Sequence, residues 1–191
     1  MKKLLIITCF IFIASCSSNS FTYLQKPTPI VKNQTHYCVS NVDVKFVEGK
    51  AKKLEGNAIS FKRGQYSGYP NEKEMASIIK EIINQDLKDL NIYSGNKNNS
   101  LNISLEIEYE RLLNDTFSNL SYHNFAMSHK AQILKDGKVV AESNSKDYTV
   151  KRFPFELLIR ASSGNNGPQN EVKDLNKVLK GLVKEIYNLG N

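Results

Sequence analysis

No stretch of this 191-residue chain is apolar for long enough to cross a bilayer. The longest such run occupies residues 4–13 and is broken only by Thr8 and Cys9, about half of the roughly 20 residues that a spanning helix needs. Cysteine is scarce too, with 3 in the chain. Cys9 lies inside the apolar run and Cys16 just behind it, so Cys38 stands alone in the rest of the sequence and no internal disulfide framework exists there. Its neighbours Tyr37 and Val39 favour a buried small hydrophobe at the start of a strand over an intermolecular disulfide. The 3 histidines, His36, His123 and His129, show no metal-ligand spacing with cysteine or carboxylate, which excludes the common zinc signatures. No serine sits in a nucleophile elbow, and the glycines between residues 49 and 68 are too widely spaced for a phosphate loop. These absences leave no cofactor, no metal and no familiar catalytic constellation to expect.

What the chain does have begins at its amino end. Lys2 and Lys3 precede the apolar run, the charge pattern of an export signal. The run closes on Ile13, Ala14, Ser15 and Cys16, a branched apolar residue, two small ones and a cysteine, and this resembles the lipobox of bacterial lipoproteins. The resemblance implies a lipid on the Cys16 thiol, cleavage just before it and an acylated new amino terminus. Acyl chains at about 0.8 kcal/mol per buried methylene hold a protein on a membrane without a spanning helix. Where an Asp after the cysteine often retains such proteins on the inner membrane, this chain has Ser17, which implies the outer membrane, on its periplasmic face. Residues 1–15 are therefore expected to be a signal peptide, 16–37 a lipid-anchored tether and 38–191 a single domain. Pro27 and Pro29 oppose helix in the tether, and about 20 extended residues reach some 60 Å. Tyr23, Leu24, Ile30 and Val31 are its apolar exceptions, suited to dock on the domain.

Charge is modestly basic: 26 Lys and Arg against 19 Asp and Glu, and loss of Lys2 and Lys3 lowers the formal charge from +7 to +5. The excess is uneven. Lys50, Lys52, Lys53, Lys62 and Arg63 crowd one glycine-punctuated connection, and residues 130–152 form a second basic stretch. Such a patch reads either as a solvated loop or as a site for anionic lipid or an acidic partner; nucleic acid is not an expected partner outside the cytoplasm.

Periodicity then sets the domain. Val42, Val44 and Phe46 alternate with Asp43 and Lys45, a strand with one apolar face. Asn71 and Glu74 form a capping box ahead of a stripe of Met75, Ile78, Ile79, Ile82, Ile83, Leu87 and Leu90, which predicts an amphipathic helix. Leu101, Ile103, Leu105, Ile107 and Tyr109 alternate with polar residues that include Glu106, Glu108 and Glu110, so the strand has one apolar and one acidic face. Phe125, Met127, His129, Ala131 and Ile133 predict the next strand, and Asp136-Gly137 a hairpin into a returning one. Pro154 opens a short helix over residues 153–161. A last helix buries Val172, Leu175, Val178, Leu179, Leu182, Val183 and Ile186 and ends at Gly190. The order is β-α-β-β-β-α, and the expected fold is α+β: a two-layer sandwich of about four mainly antiparallel strands, covered on one face by two amphipathic helices.

Behind the lipobox, the alternating run at 101–109, the hairpin Leu134-Lys135-Asp136-Gly137-Lys138-Val139 and the terminal helix are similar to the layout of small proteobacterial outer-membrane lipoproteins. The likeness is nearest to uncharacterised alphaproteobacterial families and looser to the lipopolysaccharide-assembly lipoproteins. The likeness implies a fold and no activity. The tether, an open sheet face and the lack of a catalytic constellation instead lead to the expectation of a non-catalytic accessory or binding component of an envelope assembly or transport complex, held by its lipid and docked on an envelope protein through an exposed strand edge or the connection at 49–69. Two other readings stay open: hydrolysis of envelope glycan by Glu106, Glu108 and Glu110, and binding of anionic lipid by the basic connection. Cross-strand pairing with Lys130 accounts for the glutamates without catalysis.

Overall fold

The computed structural model describes residues 22–23, 36–49, 58–60, 66–95, 100–116, 120–144, 148–149 and 167–189. Along the chain these form β1 (Thr22–Tyr23), β2 (Tyr37–Phe46), β3 (Ala58–Ser60), α1 (Glu72–Asp89), β4 (Leu101–Thr116), β5 (Leu120–Lys135), β6 (Lys138–Asn144), β7 (Tyr148–Thr149) and α2 (Pro168–Asn188). The sheet order is β1-β6-β5-β4-β2, with β3 added to β4 and β7 to β5. Four strands are long, and the antiparallel meander β4-β5-β6 is joined by β2, which lies parallel to β4 after the α1 crossover. One core joins Met75, Ile79, Ile83 and Leu87 of α1 and Leu175, Leu179, Leu182, Val183 and Ile186 of α2 to Ile103, Leu105, Ile107 and Tyr109 of β4. The fold is the two-layer α+β sandwich that the periodicity implies. No described helix is long and apolar enough to cross a membrane.

Local chemistry explains where the elements stop. Asn71 accepts from the Glu74 N–H at 3.0 Å while Glu74 accepts from the Asn71 N–H at 2.8 Å, so the capping box satisfies two of the helix's orphan donors. At the other end Asn91 takes φ 58°, donating to Lys88 O at 2.9 Å while Ile92 donates to Leu87 O at 3.0 Å, a Schellman closure. Ile92 thereby turns back into the core beside Leu87. This differs from the expected stripe in one place: Leu90 is the exposed C-cap rather than the end of the stripe, while Ile92 and Tyr93 beyond it pack on the core. The β5-β6 hairpin turns at Asp136, φ 50°, and Gly137, φ 74°, the two left-handed positions of a type I′ turn.

Other departures are of extent. β4 and β5 run past the helices as an arm that ends where Thr116 pairs Leu120, with β3 alongside at Leu112, Leu113 and Asn114. α2 starts at Pro168, several residues before the predicted stripe, and gives buried positions to Glu171 and Asp174. Among the described residues of the expected tether, Thr22 lies opposite Glu142 and Tyr23 opposite Ala141, and Tyr37 already belongs to β2, opposite Leu101. Leu24, Ile30 and Val31, the helix expected over 153–161, and Gly190 lie outside the described residues.

The outer edge of β2 is occupied by α1 and the turn after it. Tyr37 donates to Ile92 O at 2.7 Å and accepts from Ser94 N–H at 2.8 Å. The Val39 N–H donates to Asn84 Oδ1 at 3.2 Å, the Phe46 N–H to Glu72 Oε1 at 2.8 Å, and Lys80 Nζ donates to Ser40 O at 3.5 Å. These contacts take up edge groups that otherwise invite another strand. Because Asn71 caps the helix that seals this edge, Asn71→Ala is expected to cost about 1 kcal/mol, read as a lower urea midpoint with an unchanged slope.

Candidate functional site

Two polar regions emerge from this frame. The first is the sheet face away from the helices. In register, Lys45 lies opposite Glu108 and Asp43 opposite Glu106 across β2 and β4; Glu106 then faces Lys130, and Glu108 faces Ser128, across β4 and β5. Lys130 in turn faces Asn144 of β6. These residues line a shallow hollow of about 370 Å³. Ser128 Oγ donates to Glu108 Oε2 at 3.3 Å. Glu106 and Glu108 therefore each have a lysine in register on a neighbouring strand, which offsets their charge, while Asp43 stands opposite Glu106 as a third carboxylate.

Glu110 has a different environment. It shares strand parity with Glu106 and Glu108, yet it is 1% exposed and its Oε1 accepts from the Gly49 N–H at 2.6 Å. The three glutamates are thus not one acidic surface: Glu106 is exposed, Glu108 half-buried and Glu110 buried under the start of the long connection. Burial of Leu112 beyond it and of Ala126 opposite it shows that this second face is covered at that end of the sheet.

The second region is built around Arg111, which the sequence reading passed over. It follows Tyr109 on the core side of β4 and is 3% exposed. Its guanidinium meets the Glu171 carboxylate two-pronged, Nε to Oε1 at 2.6 Å and Nη2 to Oε2 at 3.0 Å, while Nη2 also donates to Pro70 O at 2.8 Å. Rings surround the cation, with centroids at 4.7 Å for Phe46, 5.3 Å for Tyr69 and 5.8 Å for Tyr109, distances at which ring quadrupoles attract it. Tyr109 donates its hydroxyl to Glu171 Oε1 at 2.9 Å. Burial, then the nearby Glu171 charge, pushes the Tyr69 hydroxyl up to about 12 and raises that of Tyr109 well above its ordinary range. Both phenols therefore stay protonated. Phe46, Tyr66, Tyr69, Pro70 and Arg111 line an open cleft of about 280 Å³ beside this pair.

The signal for Arg111 and Glu171 was in the sequence. Arg111 continues the apolar parity of β4, and Glu171 is one helical repeat before Leu175 on the stripe of α2. Opposite charges at two core-register positions point to each other.

Of the other sequence candidates, Cys38 is buried and its Sγ donates to Asn102 Oδ1 at 3.3 Å, as a packed thiol. His129 is buried in β5, opposite Ile107, and burial lowers its pKa from 6.5 to about 4. Among the described residues no group of three or more His, Cys, Asp or Glu side chains is placed to hold a metal. Cys16 and the basic patch of Lys50, Lys52, Lys53, Lys62 and Arg63 lie outside the described residues, as does the side chain of His123.

No family model matches the chain, and no curated protein matches it. One solved structure, described as the crystal structure of an uncharacterized protein, is similar over 83% of this chain and 93% of its own, at 9% identity and a TM-score of 0.36.

Two outcomes follow from the geometry. Glu171→Leu strands a buried guanidinium and is expected to cost about 3–5 kcal/mol, whereas adding Arg111→Met recovers part of that loss; equilibrium unfolding of the single and double variants measures the coupling. His129 binds a proton in the unfolded chain below its ordinary 6.5 but in the folded chain only near 4. Its contribution is present above pH 6.5 and lost as pH falls toward 4, up to about 3 kcal/mol. Stability measured across that window should fall less for His129→Gln than for the parent chain.

Proposed function

We infer that the protein is a membrane-anchored lipoprotein of the outer membrane, facing the periplasm, and a non-catalytic accessory component of an envelope assembly or transport complex. The observation that carries this reading is the run of Ile13, Ala14, Ser15 and Cys16 behind a charged and short apolar segment. A thiol at that position is the acceptor for a lipid, and acyl chains alone suffice to hold a polar domain at a bilayer.

A docking role is favoured over hydrolysis by the condition of the carboxylates. A retaining or inverting glycosidase needs one carboxyl group kept protonated beside an ionised one, and Glu106 and Glu108 instead each face a lysine across the sheet. The surface offered to a partner is that polar face: Asp43, Lys45, Glu106 and Lys130 present both signs of charge, which suits a hydrogen-bonding protein surface. A strand edge was the docking surface expected from the sequence, and the outer edge of β2 is occupied along much of its length by groups of this chain's own helix.

Intact-mass measurement of protein extracted from membranes is expected to show cleavage before Cys16 and added acyl chains, and Cys16→Ala to leave an uncleaved precursor. A soluble mature product with a free thiol at Cys16 overturns the anchor. Crosslinking through Lys45 and Lys130 in intact cells then tests the docking role, with recovery of one envelope protein as the expected result.

A further inference from the structure

β1 gives the amino-terminal side of the domain a direction. It is antiparallel to β6, with Thr22 opposite Glu142 and Tyr23 opposite Ala141, so from Tyr23 to Thr22 the chain points along the course that β6 takes toward Asn144. Glu142 lies opposite Gln132, and Gln132 opposite Ser104, which places Thr22 level with Ser104 on β4. From that level β4 continues to Thr116, an overhang of about 40 Å at roughly 3.3 Å per residue. Cys16 is 6 residues before Thr22, and full extension gives those residues a reach of about 20 Å. In the direction that β1 gives, the arm of β4 and β5 outreaches the tether.

We propose that the β4-β5 arm lies against the lipid headgroup layer and that the Asp136–Gly137 hairpin, at the other end of the strands, points away from the bilayer. The proposal rests on the reading of Cys16 as the anchor. A bilayer tied at Cys16 meets the arm before the tether is taut, so the domain cannot swing free at the some 60 Å that an unpaired tether of about 20 residues allows. The hairpin end agrees with this polarity. The hairpin end exposes Lys135, Asp136 and Lys138, a fully hydrated set.

The chain has no tryptophan, so a single introduced one reports its own surroundings. Leu120→Trp and Thr116→Trp place the probe on the arm, and Lys138→Trp places it at the hairpin. The chain beginning at Cys16 is coupled through that thiol to a maleimide phospholipid, Cys38 being buried, and mixed into phosphatidylethanolamine and phosphatidylglycerol vesicles that contain brominated phosphatidylcholine. Chemical coupling makes the result independent of whether cells acylate Cys16, which the mass measurement decides separately. Blue-shifted emission and several-fold stronger quenching are expected for the arm probes than for the hairpin probe. Equal quenching, or stronger quenching at Lys138→Trp through attraction of the hairpin lysines to anionic lipid, overturns the proposal. Replacing Thr22 and Tyr23 together by Pro removes the β1 ladder donors and frees the tether, so arm quenching should drop several-fold with the circular dichroism unchanged; quenching that persists in that variant removes β1 as the orienting element.

Discussion

A guanidinium buried between a sheet and a helix must be neutralised where it stands, and most of this architecture is arranged around that requirement at Arg111. The Glu171 carboxylate that neutralises it comes from the first turn of α2, where the helix N-terminus itself favours a negative charge. The third bond runs to Pro70 O, one residue ahead of the Asn71 cap of α1. One side chain thus fixes the entry of both helices onto β4. Phe46 at the end of β2 and Tyr109 on β4 supply the rings around it, so β2 is held to the same point. The ion pair is not a source of large net stability, since desolvation offsets much of its attraction. It gives the helices a unique place along the sheet.

The parts of the fold governed by periodicity were legible in the sequence. The α1 stripe, the alternation of β4 and the Asp136-Gly137 turn each depend on contacts within a few residues, and burial in the structure follows those patterns. The parts that depend on partners distant in sequence were not. Arg111 and Glu171 are 60 residues apart, and although each holds a core-register position, nothing local to either one marks the other as its partner. Glu110 keeps the parity of Glu106, but the Gly49 N–H above it decides that it is buried. Leu90 fell outside the stripe because the Schellman closure at Asn91 redirects the chain and sends Ile92 inward in its place. The candidate site was legible to the same degree: the polar face followed from alternation, whereas the aromatic surroundings of Arg111 required the fold.

The two edges of the sheet are treated differently. β2 is sealed largely by side chains of α1, while β6 carries β1, two residues of the chain's own N-terminal segment. Both devices occupy backbone groups that would otherwise recruit a foreign strand, but only the second couples an edge to whatever holds the amino terminus. The polar face between the edges sets Lys45 and Lys130 among Asp43, Glu106 and Glu108, so it presents hydrogen-bonding groups of both signs.

The bonds from α1 to β2 also act as a vernier. Glu72 holds Phe46 and Asn84 holds Val39, so helix and strand run in opposite directions past two fixed marks. The scales differ: a helix repeats its face about every 5.4 Å and a strand every two residues, about 6.6 Å. A helix slipped by one turn therefore matches no equivalent strand position at both marks. Two scales of unequal pitch coincide at one setting, and the crossover from β2 to β4 is read at that setting alone.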